Sequence, residues 1–226
     1  GNESPWFNLT YKTPPLPKPS VLTFKDGFVF KGPADPAAVK IKQQGAVKTA
    51  EENGVPVFTF EKGGHLIVNG GDRIKSSGEF TWMAWVKTTR DGTFISTSGG
   101  KSQVGQNSLS IKGGKPLFVH QTMISKHSLH LTSNEHPKVD DDKWHHIVVR
   151  ASAGSMFWLY IDGALAKSQR KTQQEHEPGI PLKIGSIASD NSKMPAFEGQ
   201  LKDLRFYECS LTDKEILRIY GKMKEQ

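Results

Sequence analysis

The chain has 226 residues, enough for one large β domain or two small ones, with a hydrophobic core that needs no disulfide. Hydrophobic residues make up 35%, with five Trp and twelve Phe, which excludes a disordered chain. The formal net charge of +7 favours anionic partners, although dispersed charges that only aid solubility are an equally good interpretation.

The N terminus is predicted to lie outside the folded domain. Residues 1–20 form a tail, because its Pro-rich second half cannot join a sheet and favours polyproline II. Residues 21–226 are then predicted to be a single domain. Its first strands are Val21–Phe24 and Phe28–Phe30, joined by a hairpin turn at Asp26-Gly27.

The next segment gives weaker signals. Residues 32–54 are broken up by Pro and Gly, and Ala37–Lys42 fits either a strand or a short helical turn. Beyond it, Val57–Phe60 and His65–Val68 are predicted to be two strands separated by Gly63-Gly64.

The strongest strand signal is Phe80–Val86, whose alternating faces are both apolar. We therefore place it at the centre of a sheet, covered on both sides. We expect its Trp82 and Trp85 to fill the space between two sheets. Further strands are predicted at Thr93–Ser96, Ser108–Lys112, Leu117–Gln121, Leu129–Thr132, Trp144–Ala151, Met156–Ile161, Ala164–Lys167, Leu182–Gly185 and Gln200–Tyr207.

One helix is predicted, near the C terminus. Thr212 caps it and Glu215 completes a capping box, after which Ile216, Ile219 and Tyr220 recur at helical spacing. Many short strands divided by glycine turns, with no alternating helices, predict an all-β fold. The fold class is a two-sheet antiparallel β-sandwich with a short C-terminal helix.

Six blocks, in their order and spacing, resemble laminin-G-like domains, which are concanavalin A-like jelly rolls. The blocks are Glu79–Val86, Lys143–Val149, Leu159–Gly163, Ile184-Gly185, Phe197–Tyr207 and Leu211–Ile216. The resemblance covers about residues 57–221. It implies a jelly-roll sandwich that acts as a lectin-like recognition module in cell adhesion. Most of these residues build the scaffold, and a fold alone does not define a function.

No catalytic constellation is found in the sequence, and we expect no enzyme. Glucanases of this fold use a Glu-x-Asp-x-x-Glu strand, because two carboxylates must flank the sugar bond, and the motif is absent. Asp140–Asp142 is predicted to be a solvated turn. Cys209 fits buried packing better than a reactive thiol.

The sequence contains few candidate metal ligands. Calcium is the one ion that the resemblance suggests, but Lys202 stands where relatives often carry an acid, and Asp203 should point to the other face. Asp72 and Asp190 remain loop candidates for calcium, and no other cofactor is expected. Four clustered histidines lack zinc-site spacing and are predicted to be exposed: His120, His127, His130 and His136.

Glycan binding, with acidic or sulfated sugars favoured, is the first functional hypothesis. Its candidate residues are Lys167, Arg170 and Lys171, with Arg73, Lys75 and Arg90 on other loops. A protein-interaction domain without a sugar site is an alternative, and an accessory domain of a glycan-processing enzyme is another. Nucleic-acid binding is not expected, because no aromatic-basic stacking strip accompanies the charge.

The sequence also bears on location. No apolar run approaches the roughly 18 residues of a membrane span, and no signal peptide is seen. Two glycosylation sequons, at Asn2 and Asn8, favour an extracellular or cell-surface location, whereas the single cysteine argues weakly against a disulfide-rich extracellular module.

Overall fold

The computed structural model describes residues 14–24, 29–32, 39–69, 74, 76–97, 106–121, 128–173, 180–187 and 194–224. Within these ranges the chain forms fourteen strands and one helix. They are β1 Ser20–Thr23, β2 Val29–Lys31, β3 Lys40–Glu52, β4 Val55–Asn69, β5 Phe80–Lys87, β6 Gly92–Ser96, β7 Asn107–Lys112, β8 Lys115–His120, β9 Leu129–Leu131, β10 His145–Ala151, β11 Met156–Ile161, β12 Ala164–Arg170, β13 Leu182–Ile184, β14 Gly199–Tyr207 and α1 Asp213–Lys224.

The first layer of the sandwich is built around β5. Strands β10 and β14 flank β5 as antiparallel neighbours, and β11 and β12 continue the sheet beyond β10. On the other side, β14 pairs with the first half of β4 and with β1. Every residue of β5 except Lys87 is buried. The predicted central position of this strand is therefore confirmed.

The second layer contains β13, β6, β7, β8 and β9 in that order, with the second half of β4 beside β13. All of these pairings are antiparallel. The two layers belong to one continuous hydrogen-bonded sheet, because the β3–β4 hairpin passes from one layer to the other. This arrangement confirms the predicted all-β antiparallel sandwich of the jelly-roll class.

The passage between the layers occurs at a bend in β4. Val57–Phe60 and His65–Val68 are not two strands, as predicted, but parts of one 15-residue strand with a bulge opposite Gly45. Gly64 permits the bend, because a Cβ there would overlap the carbonyl oxygen of Ala46 and lie 2.6 Å from its carbonyl carbon. Bulges that redirect a strand between packed sheets make such corners.

The ambiguous segment before this hairpin is resolved as a strand. β3 pairs with β4 from Lys40, opposite Asn69, to Glu52, opposite Val55. The helical-turn interpretation of the residues from Lys40 to Lys42 is therefore wrong. The predicted β1–β2 hairpin is confirmed, with Val21 opposite Lys31, while its turn at Asp26-Gly27 lies outside the described residues.

Aromatic rings fill the space between the layers. Trp82 is fully buried there, 5.3 Å from the Phe80 ring and 5.8 Å from the Phe206 ring. Phe118 of the second layer meets Phe157 of the first at 5.7 Å. These contacts between layers place a single core inside the sandwich.

Trp85 does not share this core, contrary to the prediction. Strand residues three apart point to opposite faces, so Trp85 lies on the outer face of the first layer, beneath α1. Its ring stacks on Tyr220 of the helix at 5.6 Å and lies 5.1 Å from His146. A second apolar cluster continues under the helix, formed by Met83, Val148, Tyr160, Tyr207, Leu211, Ile216 and Ile219.

The helix α1 begins with the predicted capping box. The Thr212 amide donates to Glu215 Oε2 at 2.7 Å, and the Glu215 amide donates to Thr212 Oγ1 at 3.3 Å. Asp213 fastens this end to the sheet through Arg150 and the Tyr160 hydroxyl. Of the described part of the chain, no helix has both the length and the apolar character that crossing a membrane requires.

Removing the helix cap should weaken the domain modestly. We expect Thr212→Ala to lower the free energy of unfolding by about 1 kcal/mol, because the Glu215 amide loses its acceptor. Urea unfolding followed by tryptophan fluorescence measures this loss. Thr212→Ser keeps the hydroxyl and should retain most of the stability. A Ser variant as unstable as the Ala variant would contradict the capping explanation.

The Pro-rich segment contacts the domain where it is described. Leu16 packs against the cluster under α1, and the Pro14 carbonyl accepts a hydrogen bond from Arg218 at 3.2 Å. The domain boundary between residues 20 and 21 stays a prediction.

Candidate functional site

A groove opens at the rim of the first layer, where β5 ends and β14 begins. Its volume is about 420 Å³, within the usual range for small-ligand sites. We call it the rim groove. It is lined by Thr59, Phe60, Glu61, Lys62, Lys87, Thr88, Thr89, Arg90, Asp142, Glu198, Gly199 and Gln200.

Strand register brings the polar residues of the rim groove together. Gln200 of β14 lies opposite Thr59 on one side and opposite Lys87 on the other. Their side chains share the outer face of the sheet, while Phe60 and Leu201 alternate into the core. The Gln200 amide donates to Thr59 Oγ1 at 3.3 Å. The pairing of β14 with β4 and β5 therefore holds the floor of the groove in place.

One wall of the rim groove is formed where two segments of backbone lie close together. The loop that leads into β14 packs against the end of β5 at Gly199, where a Cβ would overlap the Lys87 carbonyl oxygen. The Thr88 hydroxyl donates to the Glu198 carbonyl at 2.7 Å and accepts from the Arg90 amide at 3.1 Å. These bonds hold the Arg90 turn against the β14 loop.

The charged residues that line the rim groove are three cations and three anions, and they differ in whether they form ion pairs. Arg90 forms an ion pair with Glu198 at 2.9 Å, and Lys48 from outside the groove pairs with Glu61 at 2.7 Å. Lys62, Lys87 and Asp142 form no ion pair with any residue that the structure describes. The groove therefore offers two unpaired ammonium groups, against one unpaired carboxylate, to an anionic ligand.

The predicted basic residues do not form one patch. Arg90 lies in the rim groove, just beyond the end of β5. Arg170 lies opposite Met156, at the other end of the layer, and its guanidinium donates to the Gly154 carbonyl at 2.8 Å. Lys167 lies in the same edge strand, β12, and Lys171 directly follows it. Arg73 and Lys75 lie outside the described residues.

Sequence reasoning missed Lys62 and Lys87. Each is an isolated lysine at the end of an apolar segment, with no motif around it. What brings them to one groove is the pairing of Gln200 with both β4 and β5, together with the bend in β4. Pairing between distant strands leaves no local signal in the sequence.

Two of the four residues considered for calcium, Lys202 and Asp203, contact other residues of the chain. The Lys202 ammonium lies 4.5 Å from the centre of the Trp144 ring and 3.3 Å from Glu52 Oε2. Asp203 is buried, which raises its pKa, and its Oδ1 accepts from Arg205 Nε at 2.6 Å. Asp72 and Asp190 lie outside the described residues. Within the described ranges, no three His, Cys, Asp or Glu side chains come together to hold a metal.

The prediction of exposed histidines is wrong for His120. It is fully buried, and its Nδ1 lies 2.7 Å from Asn107 Oδ1. His130 is exposed, as predicted, and His136 lies 3.2 Å from the Ser133 hydroxyl. His127 lies outside the described residues.

The acidic turn before β10 orders a neighbouring histidine. His145 lies between Asp162 Oδ2, at 2.8 Å, and Asp141 Oδ1, at 3.0 Å. These hydrogen bonds, led by that to Asp162, raise the pKa of His145, and the bond to His145 helps to lower the pKa of Asp141 to about 2. Asp141 and Asp142 are exposed, in agreement with the predicted solvated turn.

The fold and the rim groove define a class: an antiparallel jelly-roll sandwich with a polar groove at its rim. Residues 60–217, more than half of the chain, match the laminin G-type family model of the concanavalin A-like lectin/glucanases superfamily. The chain belongs to this family. The resemblance noted in the sequence is thereby confirmed.

Solved structures with the same fold include receptor-binding domains of botulinum neurotoxins. The serotype D binding domain has 19% sequence identity and a TM-score of 0.68, over 91% of this chain and 52% of that chain. The mosaic serotype C/D domain has 19% sequence identity and a TM-score of 0.67, over 90% of this chain and 50% of that chain. A type C structure has 14% sequence identity and a TM-score of 0.68, over 92% of this chain and 51% of that chain. This chain thus spans about half the length of these structures. No curated protein sequence gives a significant match.

Proposed function

We propose that this domain is a non-catalytic recognition module that binds anionic glycans in the rim groove, in a cell-surface or extracellular setting. The observation that carries the proposal is the pair of ammonium groups of Lys62 and Lys87, which have no ion-pair partner among the described residues and lie beside Arg90. Sulfate and carboxylate groups bind such cations through charge-assisted hydrogen bonds.

The rest of the rim groove suits a sugar. The Thr59 and Thr89 hydroxyls and the Gln200 amide supply neutral donors and acceptors for sugar hydroxyls. The net charge of +7 would attract an anionic chain over a longer range. One of the similar structures adds support by analogy, since cell entry of botulinum neurotoxin type C depends on interaction with two ganglioside molecules, which are glycolipids.

The carboxylates of the rim groove are poorly arranged for hydrolysis of a sugar. A glycosidase needs one carboxyl group that keeps its proton as general acid, next to an ionised partner. Glu61 and Glu198 are half-buried and ion-paired with Lys48 and Arg90, and Asp142 is exposed, so none of the three lies in the buried, apolar setting of a general acid. This supports recognition rather than catalysis.

The test compares two sets of basic residues on the same protein. We expect Lys62→Ala with Lys87→Ala to weaken binding to a sulfated glycan, such as heparin, by about 100-fold, because each charged hydrogen bond contributes about 1.5 kcal/mol. Lys167→Ala with Arg170→Ala removes the same charge from the opposite end of the layer and serves as the matched control. Isothermal titration calorimetry at physiological salt measures both.

The two sites give different outcomes. Weakening by the first pair alone supports the rim groove. Equal weakening by both pairs would mean a diffuse electrostatic effect, and weakening by the second pair alone would place binding at β12. Either result would contradict the rim groove. Elution of the unchanged protein from heparin below physiological ionic strength would count against an anionic glycan as the ligand.

A further inference from the structure

Strand β3 is a long edge strand that is open on one side. It pairs with β4 along its length, and among the described residues no strand pairs with its other edge. Most of its residues are exposed, the exceptions being Ile41 and Val47, which turn toward the core. An unpaired edge of this length can receive another strand.

The hydrogen-bonding groups of this edge can be assigned to alternate residues. The Gln43 side-chain amide donates to the carbonyls of Gly45 and Val47, at 3.0 and 3.3 Å. These carbonyls therefore point away from β4. The pairing with β4 resumes directly after Gly45, with Gln44 opposite His65 and Ala46 opposite Glu61. Because backbone groups alternate along a strand, the odd-numbered residues from Val47 to Glu51 present theirs to the open edge.

The charges along β3 are asymmetric. Lys40 and Lys42 lie at its start, and Glu51 and Glu52 lie at its end. In an antiparallel pairing of two copies, the start of each strand meets the end of the other. The register that pairs the whole strand is centred on Ala46, and it sets Lys40 of one copy opposite Glu52 of the second. The same register sets Gly45 of one copy opposite Val47 of the other, so the two carbonyls that point away from β4 face each other across the interface.

We propose that β3 is a homodimer interface, in which two copies of this chain pair antiparallel about a two-fold axis at Ala46. The bend at Gly45 lies next to the axis, so both halves of each strand turn to the same side and the curved edges match. Glu52 already bonds to Lys202 of its own chain, so Lys40 of the second copy would join an existing network. Edge lysines usually oppose pairing, but here the two-fold axis sets Lys40 opposite an acid.

Charge reversal with mixing is the test. We expect Lys40→Glu and Glu52→Lys each to raise the dimer dissociation constant about tenfold or more, since each sets like charges opposite one another at both ends of the interface. Mixing the two variants should restore association, because every lysine then faces a glutamate. Analytical ultracentrifugation over a concentration series measures all three samples.

Controls separate this interface from general charge effects. Lys214→Glu makes the same charge change on α1 and should leave the dimer intact, and Glu52→Gln removes the Lys202 ion pair without adding a repulsion and should weaken the dimer less than Glu52→Lys. Gln43→Ala should tighten the dimer by freeing the carbonyls of Gly45 and Val47. Unchanged protein that is monomeric throughout the series, a Lys40→Glu variant that dimerises normally, or a mixture that stays monomeric would overturn the proposal.

Discussion

Replacing Gly64 by alanine is expected to cost about 3 kcal/mol of unfolding free energy or to prevent folding. The added Cβ would overlap the Ala46 carbonyl oxygen and lie 2.9 Å from the Ala46 nitrogen. These are backbone atoms of the paired strand and cannot rotate away, so β3 and β4 would have to separate at the bend. Overpacking that forces backbone shifts costs about 1–3 kcal/mol or more. Equilibrium unfolding in urea measures the loss.

The adjacent glycine provides a matched control. Gly63 has a φ of +78°, and a Cβ there would meet nothing within 4 Å. Gly63→Ala should therefore cost only the backbone penalty of about 1–2 kcal/mol. Gly154→Ala, at a turn where a Cβ would meet only Ser152 Oγ at 3.7 Å, should be nearly neutral. If Gly64→Ala is no more destabilising than Gly63→Ala, the close contact between β3 and β4 at Gly64 does not maintain the bend in β4.

The same corner explains where sequence reasoning about the fold failed. Alternating and apolar runs predicted β5 and the meander from β10 to β12 well. In the meander, neighbours along the chain are also neighbours in the sheet, and β5 is apolar on both faces because both are buried. The dipeptide Asp162-Gly163 adopts φ values of +51° and +78°, as its turn requires. Gly63-Gly64 looks like another such turn in the sequence. Only the contact with Ala46, 18 residues earlier, makes it a bend inside one strand.

The faces of β5 show a second limit. Its apolar faces predicted burial on both sides, but not what covers each side. The helix α1, which begins more than a hundred residues later, covers Trp85, whereas the second layer covers Trp82. Likewise, Lys62 and Lys87 come to one groove because Gln200 pairs with both β4 and β5. Fold class follows from local pattern, while site composition follows from register between distant strands.

Acidification from pH 7 to pH 4 is expected to destabilise the domain strongly, because two buried histidines must take up protons. Burial lowers the pKa of His146 to about 3, while Asp162 and Arg205 act on it in opposite directions. Burial, assisted by the charge of Lys171, lowers the pKa of His120 to about 4. In the unfolded chain both titrate near 6.5. Below that pH the unfolded state binds protons first, so stability is lost as the pH falls toward the folded values.

The expected loss is large compared with the stability of a domain. A pKa lowered by two to three units corresponds to about 3 kcal/mol for each histidine between pH 7 and pH 4. Two such groups account for about 6 kcal/mol, against the usual total of about 5–15 kcal/mol. Urea unfolding midpoints across this pH range measure how the unfolding free energy falls with pH, which we call the acid slope.

His146→Phe isolates one of the two contributions. Neither ring nitrogen of His146 has a hydrogen-bond partner in the described part of the chain, and the ring lies against Trp85 and Tyr220. Phenylalanine keeps these ring contacts and cannot be protonated, so the variant should be as stable as the unchanged protein at pH 7 and lose about half of the acid slope. His120→Phe should also flatten the slope but cost about 1–3 kcal/mol at pH 7, because the buried Asn107 Oδ1 loses its hydrogen bond to His120. His130→Gln, at an exposed position of β9, is the control and should keep the full slope. Carboxylates that are protonated in acid contribute equally to all variants and cancel in the comparison. An unchanged slope in His146→Phe would mean that the buried ring is not what makes the domain sensitive to acid.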